Sequence, residues 1–272
     1  MRYGKNQELK ASSYTKPGST EEIVVKDVLR DLGVQMNNQG DFKDHINKVV
    51  SQVSQKSSWI LRTFACRKTM FMRMMWKTLV QGHIDYCSQL YQPTQSGNLT
   101  RIENLMKVYT KKIPQVKEMN YWERLKTLKL NSQQRRFERY RIVYIWKVLE
   151  GLVPNPGVIQ CDSGRGGRLC KVPPMSKTAP KKIQSLRESS FQVHGARLFN
   201  CLPEAVRKVT KCSITEFKEK LDLFLTKITD EPKIGTLVPA CCDQVTGAPS
   251  NSLVDQVRLH LREGRKDRTF GN

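Results

Sequence analysis

Between residues 41 and 153 apolar side chains return every three or four positions, in one segment after another. That period belongs to helices with one face turned to a common core, and it excludes a sheet-based architecture for this part of the chain. Asp41 is placed to cap a helix with Phe42, Ile46, Val49, Val50 and Val53 on one face, extending through Trp59, Ile60 and Phe64. Thr69 opens a second, whose stripe of Met72, Met75, Trp76, Leu79, Val80, His83, Ile84 and Cys87 ends before Pro93. Its methionines read as gap-filling core residues and His83 as a hydrogen-bonded core histidine. Asn98 caps a third, with Leu99, Ile102, Leu105, Met106, Tyr109 and Ile113 inward and Pro114 as its stop. Asn120 caps a short element over 121–130, and Ser132 opens a long helix carrying Phe137, Tyr140, Tyr144, Ile145, Val148 and Leu149 along one side. Gly151 and Pro154 end it. The expected fold class is mainly α, a compact bundle over 41–153.

The flanks read differently. Residues 1–40 read as two short strands and a turn. Tyr14 precedes a turn at Lys16-Pro17-Gly18-Ser19, then come Ile23, Val24, Val25, Val28, Leu29, Leu32, Val34 and Met36, with Gly33 interrupting the row as a bulge or close approach would. Over 154–189, prolines and glycines punctuate too often for a long element, which predicts a loop-rich connector that is strongly basic. Order resumes over 190–230. Phe191 to His194 reads as a short strand, and Ser213 with Glu216 as a capping box opening a helix that buries Ile214, Phe217, Leu221, Phe224, Leu225 and Ile228. Residues 231–272 read as a largely disordered tail with a short helix within 251–262.

Charge narrows the partner. With 47 Lys plus Arg against 25 Asp plus Glu the net charge is +22, an attractive field for phosphate backbones or anionic surfaces. No apolar run approaches the roughly 20 residues that span a bilayer, so nucleic acid is favoured and a membrane is not. The opening MRYGKNQELK has no apolar core of a secretory signal, so the expected location is intracellular, nucleus or cytoplasm, not secreted. The eight cysteines include no C-x-x-C pair and read as reduced thiols. Cys161, Cys170, His194 and Cys201 are spaced too widely to argue for a metal.

No phosphate-cradling glycine loop, metalloprotease helix or nucleophile elbow occurs, and no adjacent aspartates stand ready for two metal ions. The expectation is a chain that is not an enzyme, with no catalytic residues, no metal and no cofactor. Basic residues interleaved with aromatics are the positive finding. Arg135, Arg136, Arg139 and Arg141 share the first turns of the long helix, with Lys111, Lys112, Lys126 and Lys129 near in sequence. Arg165, Arg168, Lys181 and Lys182 follow in the connector. Guanidinium forks suit phosphates, and these twelve are the candidate nucleic-acid contacts.

Several phrases in order resemble one family: LRDLGVQM (29–36), DFKDHINKVV (41–50), WILRTFACR (59–67), LVQGHIDYCSQLYQP (79–93), RFERYRIVYIWKVLEGLVPN (136–155), SFQVHGARLFNCLPEAVR (190–207) and FKEKLDLFL (217–225). Over about 2–232 they resemble the C-terminal part of a non-LTR (LINE-type, jockey-like) retrotransposon polyprotein, downstream of the reverse transcriptase active site. The resemblance implies that Leu32-Gly33 is primer-grip-like, that the helices from Asp41 form a thumb holding template and primer, and that the remainder helps grip RNA. The catalytic aspartates and the endonuclease of that family have no counterpart here, so neither activity carries over. Two functions follow: binding of RNA or RNA–DNA duplex, or a helical module docking on an intact reverse transcriptase. A transposon remnant without selected function is the third possibility.

Overall fold

The computed structural model describes residues 15–22, 26–38, 42–91, 96–163, 167–174, 178, 180, 183–184, 187–188, 190–232 and 252–260. The chain is mainly helical and divides into two compact units, residues 1–117 and 118–272. Among the described residues no helix is long and apolar enough to cross a membrane.

The first unit begins with strands β1 (Val28–Asp31) and β2 (Val34–Asn37), antiparallel, with Asp31 opposite Val34. The short N-terminal hairpin expected over 1–40 is present, but its turn was expected at Lys16–Ser19, with Gly33 inside one strand. Instead Leu32 and Gly33 are the two-residue turn itself, with φ of +44° and +89°. Two-residue turns with positive φ match the twist of the strands they join. The expected turn at Lys16–Ser19 is also present, where Ser19 N–H donates to the Lys16 carbonyl and Thr15 bridges Glu22. Tyr14 and 23–25 lie outside the described residues.

Helix α1 (Lys43–Thr63) buries Ile46, Val49, Val53 and Ile60, the expected stripe. Asp41 lies outside the described residues, Phe42 holds the cap position without a side-chain bond, and Trp59 stands 47% exposed, not inward. Next come α2 (Thr69–Met75), a π-helical turn (Trp76–Val80) and α3 (Gln81–Asp85), running on without interruption. The wider turn brings Trp76 Nε1 to donate to Gln81 Oε1 at 2.7 Å, while Tyr109 Oη donates to the Met72 carbonyl at 3.0 Å. The expected stripe through Cys87 breaks here. Tyr86 leaves the helix and Cys87 turns left-handed (φ +52°), after which α4 (Ser88–Tyr91) starts afresh. Tyr86 Oη then donates to the Leu32 carbonyl at 2.7 Å and tethers the hairpin turn. His83 is half-buried and makes no side-chain hydrogen bond among the described residues, its pKa pushed down by burial and by Lys56. The buried histidine is His45, edge-on to Tyr91. Helix α5 (Ser96–Lys111) closes the unit, with Asn98 inside its first turn where the sequence placed it as the cap.

In the second unit α6 (Tyr121–Leu128) carries a complete capping box: Asn120 Oδ1 accepts from Glu123 N–H, and Glu123 Oε2 accepts from Asn120 N–H. Helix α7 (Gln133–Leu149) starts at Ser132, whose Oγ accepts from Arg135 N–H at 3.1 Å. It ends in a Schellman motif, with Gly151 (φ +71°) N–H to the Val148 carbonyl and Leu152 N–H to the Lys147 carbonyl. The Gly151 stop signal is therefore used as the sequence implied.

The connector contains a hairpin that its punctuation concealed, β3 (Gln160–Ser163) antiparallel to β4 (Gly167–Cys170). It is fastened by the Asn200 side chain, which bonds both the N–H and the carbonyl of Cys170 at 2.8 Å. The expected strand at 191–194 is instead the start of α8 (Phe191–Asn200), capped by Ser190. Helical spacing of Val193, Ala196 and Phe199, all buried, overrides the β-leaning of four residues read alone. Then come α9 (Glu204–Arg207), α10 (Ile214–Leu225) and a helical turn pair, α11, over 253–260. At α10 the box is half made: Ser213 Oγ accepts from Glu216 N–H, but the Glu216 carboxylate turns to Lys220 at 2.8 Å. The core centres on Trp146, stacked on Phe217 at 4.5 Å with an 8° tilt, its Nε1 donating to the Val209 carbonyl.

Gly195 sets the spacing of α8 against α7, because a Cβ there would stand 3.0 Å from Ile145 Cδ1. Gly195→Leu is expected to cost about 1–3 kcal/mol through overpacking, read as a lower midpoint of thermal unfolding. An unchanged midpoint would show that the two helices separate freely.

Candidate nucleic-acid interface

Helix α7 was expected to keep one apolar face inward and its arginines outward. It is enclosed on nearly every side, and burial takes in Gln133, Arg135, Glu138 and Arg141 as well as Phe137, Ile142, Ile145 and Trp146. Tyr140, Tyr144 and Leu149 sit half-buried at its margin. The arginines consequently serve the interior. Arg135 is 2% exposed and donates from Nη2 to the Thr229 carbonyl at 2.7 Å, beside Asp230 at 3.7 Å. Asp230 also accepts from the Ser132 N–H and hydroxyl, so one carboxylate secures the start of α7. Arg139 forks onto Asp222, with Nη2 to Oδ2 at 2.6 Å. That carboxylate occupies the position a phosphate would take. Arg168 pairs with Glu150 and Gln160 and is 9% exposed. Arg136 is half-buried, its guanidinium 5.7 Å from the Tyr140 ring centre. The expectation of one solvent-facing arginine cluster on α7 is thus corrected: most of its guanidinia are committed within the second unit.

Glu138 lies fully inside this group. Its carboxylate accepts from Leu253 N–H at 2.9 Å and Gln134 Nε2 at 2.6 Å. Burial pushes it up to about 7, against the pull of Leu253 N–H and Arg135. Arg141 Nη1 donates to His194 Nδ1 at 2.9 Å. Burial, then Arg141 and Arg197, hold His194 down at about 3, the neutral form that can accept this bond. Arg141 is itself lowered by burial to about 10.

The remaining candidates are dispersed. Lys111 and Lys112 are exposed at the end of α5 in the first unit. Lys126 and Lys129 are exposed on the second, Lys126 at 3.8 Å from Glu231 and Lys129 as the left-handed cap of α6. Leu32 is 83% exposed at the hairpin turn beside Gly33. Arg165, Lys181 and Lys182 lie outside the described residues. Among the described residues no group of three or more His, Cys, Asp or Glu is placed to hold a metal ion.

A different surface emerges on the first unit. From His45 to Ile84 the chain has no Asp or Glu, against Lys48, Lys56, Arg62, Arg67, Lys68, Arg73 and Lys77. This run is α1 beyond Asp44, then α2, the π turn and most of α3. Lys56, Arg62, Lys68 and Lys77 are exposed, while Arg67 turns inward to the Leu61 and Phe64 carbonyls at the end of α1. Lys56, Trp59 and Arg62 follow at three-residue steps on α1. Trp59 meets Phe64 edge-on at 5.8 Å, and Phe64 meets Phe71 at 5.5 Å, linking α1 to α2 through a row of rings. Met70 and Met74 are exposed on α2, 72% and 48%. The absence of acids from residues 45 to 84 was visible in the sequence.

Comparison with known proteins adds no neighbour: no family model, curated protein or solved structure matches the chain.

The Glu138 carboxyl generates a pH test. Its pKa is about 7 when folded against an ordinary 4.5, so the folded chain binds more protons between those values and stability falls as pH rises through them. His194 acts oppositely, losing stability as pH falls from about 6.5 toward 3. Glu138→Gln removes the first effect alone. The stability of the variant relative to the native chain should climb by up to roughly 3 kcal/mol from pH 4.5 to 7, then level off. Paired urea titrations across that range measure it, and a constant difference would mean that Glu138 is solvated.

Proposed function

We propose that the chain binds RNA or RNA–DNA duplex without catalysis, through the basic side chains that the acid-free run of α1 and α2 exposes. The observation that carries this reading is the run from His45 to Ile84 with its exposed Lys56, Arg62, Lys68 and Lys77 around a half-exposed Trp59. Ammonium and guanidinium groups release counterions from a phosphate backbone, and an exposed indole offers a stacking surface to an unpaired base. No carboxylate in the run opposes the approach of a phosphate. The ordered phrases that resemble a retrotransposon reverse transcriptase thumb favour a template–primer duplex as the polyanion. On this reading the α7 arginines maintain the second unit and contribute no contact to the ligand.

A second reading, docking on an intact reverse transcriptase, draws on Val28, Leu29 and Leu32, which leave the hairpin with exposed apolar side chains.

Fluorescence anisotropy of a labelled RNA–DNA duplex over a salt series tests the first reading. Affinity is expected to fall steeply with salt, and replacing Lys56, Arg62, Lys68 and Lys77 with alanine should reduce the slope by roughly three. Trp59→Ala is expected to weaken single-stranded RNA by about 1–3 kcal/mol and duplex by less. Arg139→Ala should leave the slope unchanged. No binding at low salt would sink the reading and leave docking, and templated primer extension with Mg²⁺ would overturn the absence of catalysis.

A further inference from the structure

The hairpin of the first unit presents a backbone edge that neither functional reading uses. Strand β1 pairs with β2 on one side, and among the described residues no strand pairs with its other side. Bonded and unbonded residue pairs alternate along an antiparallel ladder. Asn38 N–H donates to the Asp27 carbonyl at 2.9 Å, so the same alternation bonds Leu29 with Met36 and Asp31 with Val34. Val28 and Arg30 fall at the unbonded positions and turn their N–H and carbonyl groups outward. All four residues of β1 are exposed. The two-residue turn fixes the register, and the bond from Tyr86 Oη to the Leu32 carbonyl holds its tip. Two open backbone positions on one edge are thus offered to an added strand.

A second copy of the chain does not suit this edge. Antiparallel self-pairing centred on Val28 sets Lys26 against Arg30, pairing centred on Leu29 sets Asp27 against Asp31, and pairing centred on Arg30 sets Arg30 against itself. Like charges directly opposite destabilise a pair. The charge order that repels a copy selects its complement: an acid opposite Arg30, apolar residues opposite Leu29 and Val28, and bases opposite Asp31 and Asp27. Leu29 shares a face with Met36 and the buried Val34, so an apolar residue opposite it continues a row already partly covered.

We propose that β1 receives an extended segment of a partner protein as a third, antiparallel strand, whose residues run base, acid, apolar, apolar, base from its N-terminal side. Val28 and Arg30 exchange backbone bonds with the residues opposite them, and the acid meets the Arg30 guanidinium. The antiparallel sense is the more stable of the two and matches the hairpin it extends.

The peptide Thr-Lys-Glu-Ile-Val-Lys-Thr, blocked at both ends and titrated into the full chain, tests this, with amide hydrogen exchange followed residue by residue. Exchange at Val28 and Arg30 is expected to slow on binding, while Leu29, already bonded to β2, changes less. N-methylation of the peptide's glutamate and valine keeps every side chain but removes both ladder donors, and should weaken binding about tenfold or more. Arg30→Glu should reverse the preference by about fivefold, toward the peptide with lysine in place of glutamate. Val28→Pro removes an outward donor that β2 does not use, so the hairpin should persist and peptide binding fall. No peptide binding would overturn the proposal, as would equal binding of the methylated peptide, or binding that leaves exchange at Val28 and Arg30 unchanged. A dimer of the chain that Val28→Pro dissolves would overturn it in favour of a second copy. Both substitutions lie outside the α1–α2 run, so duplex binding should be the same in each variant, and its absence in the native chain bears on the nucleic-acid reading alone.

Discussion

A carboxylate without water organises the second unit. Glu138 sits at the centre of α7 with no exposed surface, and a charge there is costly unless its lone pairs are filled. They are filled by Gln134 one turn away and by the backbone of Leu253, far along the chain. Around it Arg135 and Arg141 bring positive charge inward, and each needs its own acceptor, found in the Thr229 carbonyl and His194. These bonds form only if α7, α8, the segment that follows α10 and α11 meet together. The hydrophobic contribution of Trp146 on Phe217 is larger in area but less particular, since apolar surfaces tolerate sliding that hydrogen bonds do not.

This explains both what could be read from the sequence and what could not. Mainly helical character followed from apolar period alone, and the caps at Asn120, Ser132 and Ser213 followed from local chemistry, because an N-cap depends on three residues. The hairpin turn at Leu32-Gly33 was misread because leucine rarely takes positive φ, and only the tether from Tyr86, remote in sequence, fixes that carbonyl. Phe191 to His194 looked like a strand because four residues cannot distinguish the two periods.

The α7 arginines failed for a different reason. A cluster of cations on an amphipathic helix ordinarily faces solvent, and the exception requires acceptors supplied from elsewhere. Asp222 and Asp230 lie over eighty residues downstream, and nothing local couples them to Arg139 or Arg135. The candidate surface was legible in the other direction. A run without carboxylates offers its cations no acid of its own, and Lys56, Arg62, Lys68 and Lys77 stand exposed, whereas backbone carbonyls claim Arg67.

The bond from Leu253 to Glu138 spans 115 residues of chain. A ribosome adding roughly 5–20 residues per second needs about 6–23 s to produce the second partner after the first. Throughout that interval the Leu253 donor does not yet exist, and of the two donors only Gln134 is at hand for the carboxylate. The nascent segment must keep Glu138 hydrated, and the last part of the described chain to be synthesised is what allows the middle of it to become dry.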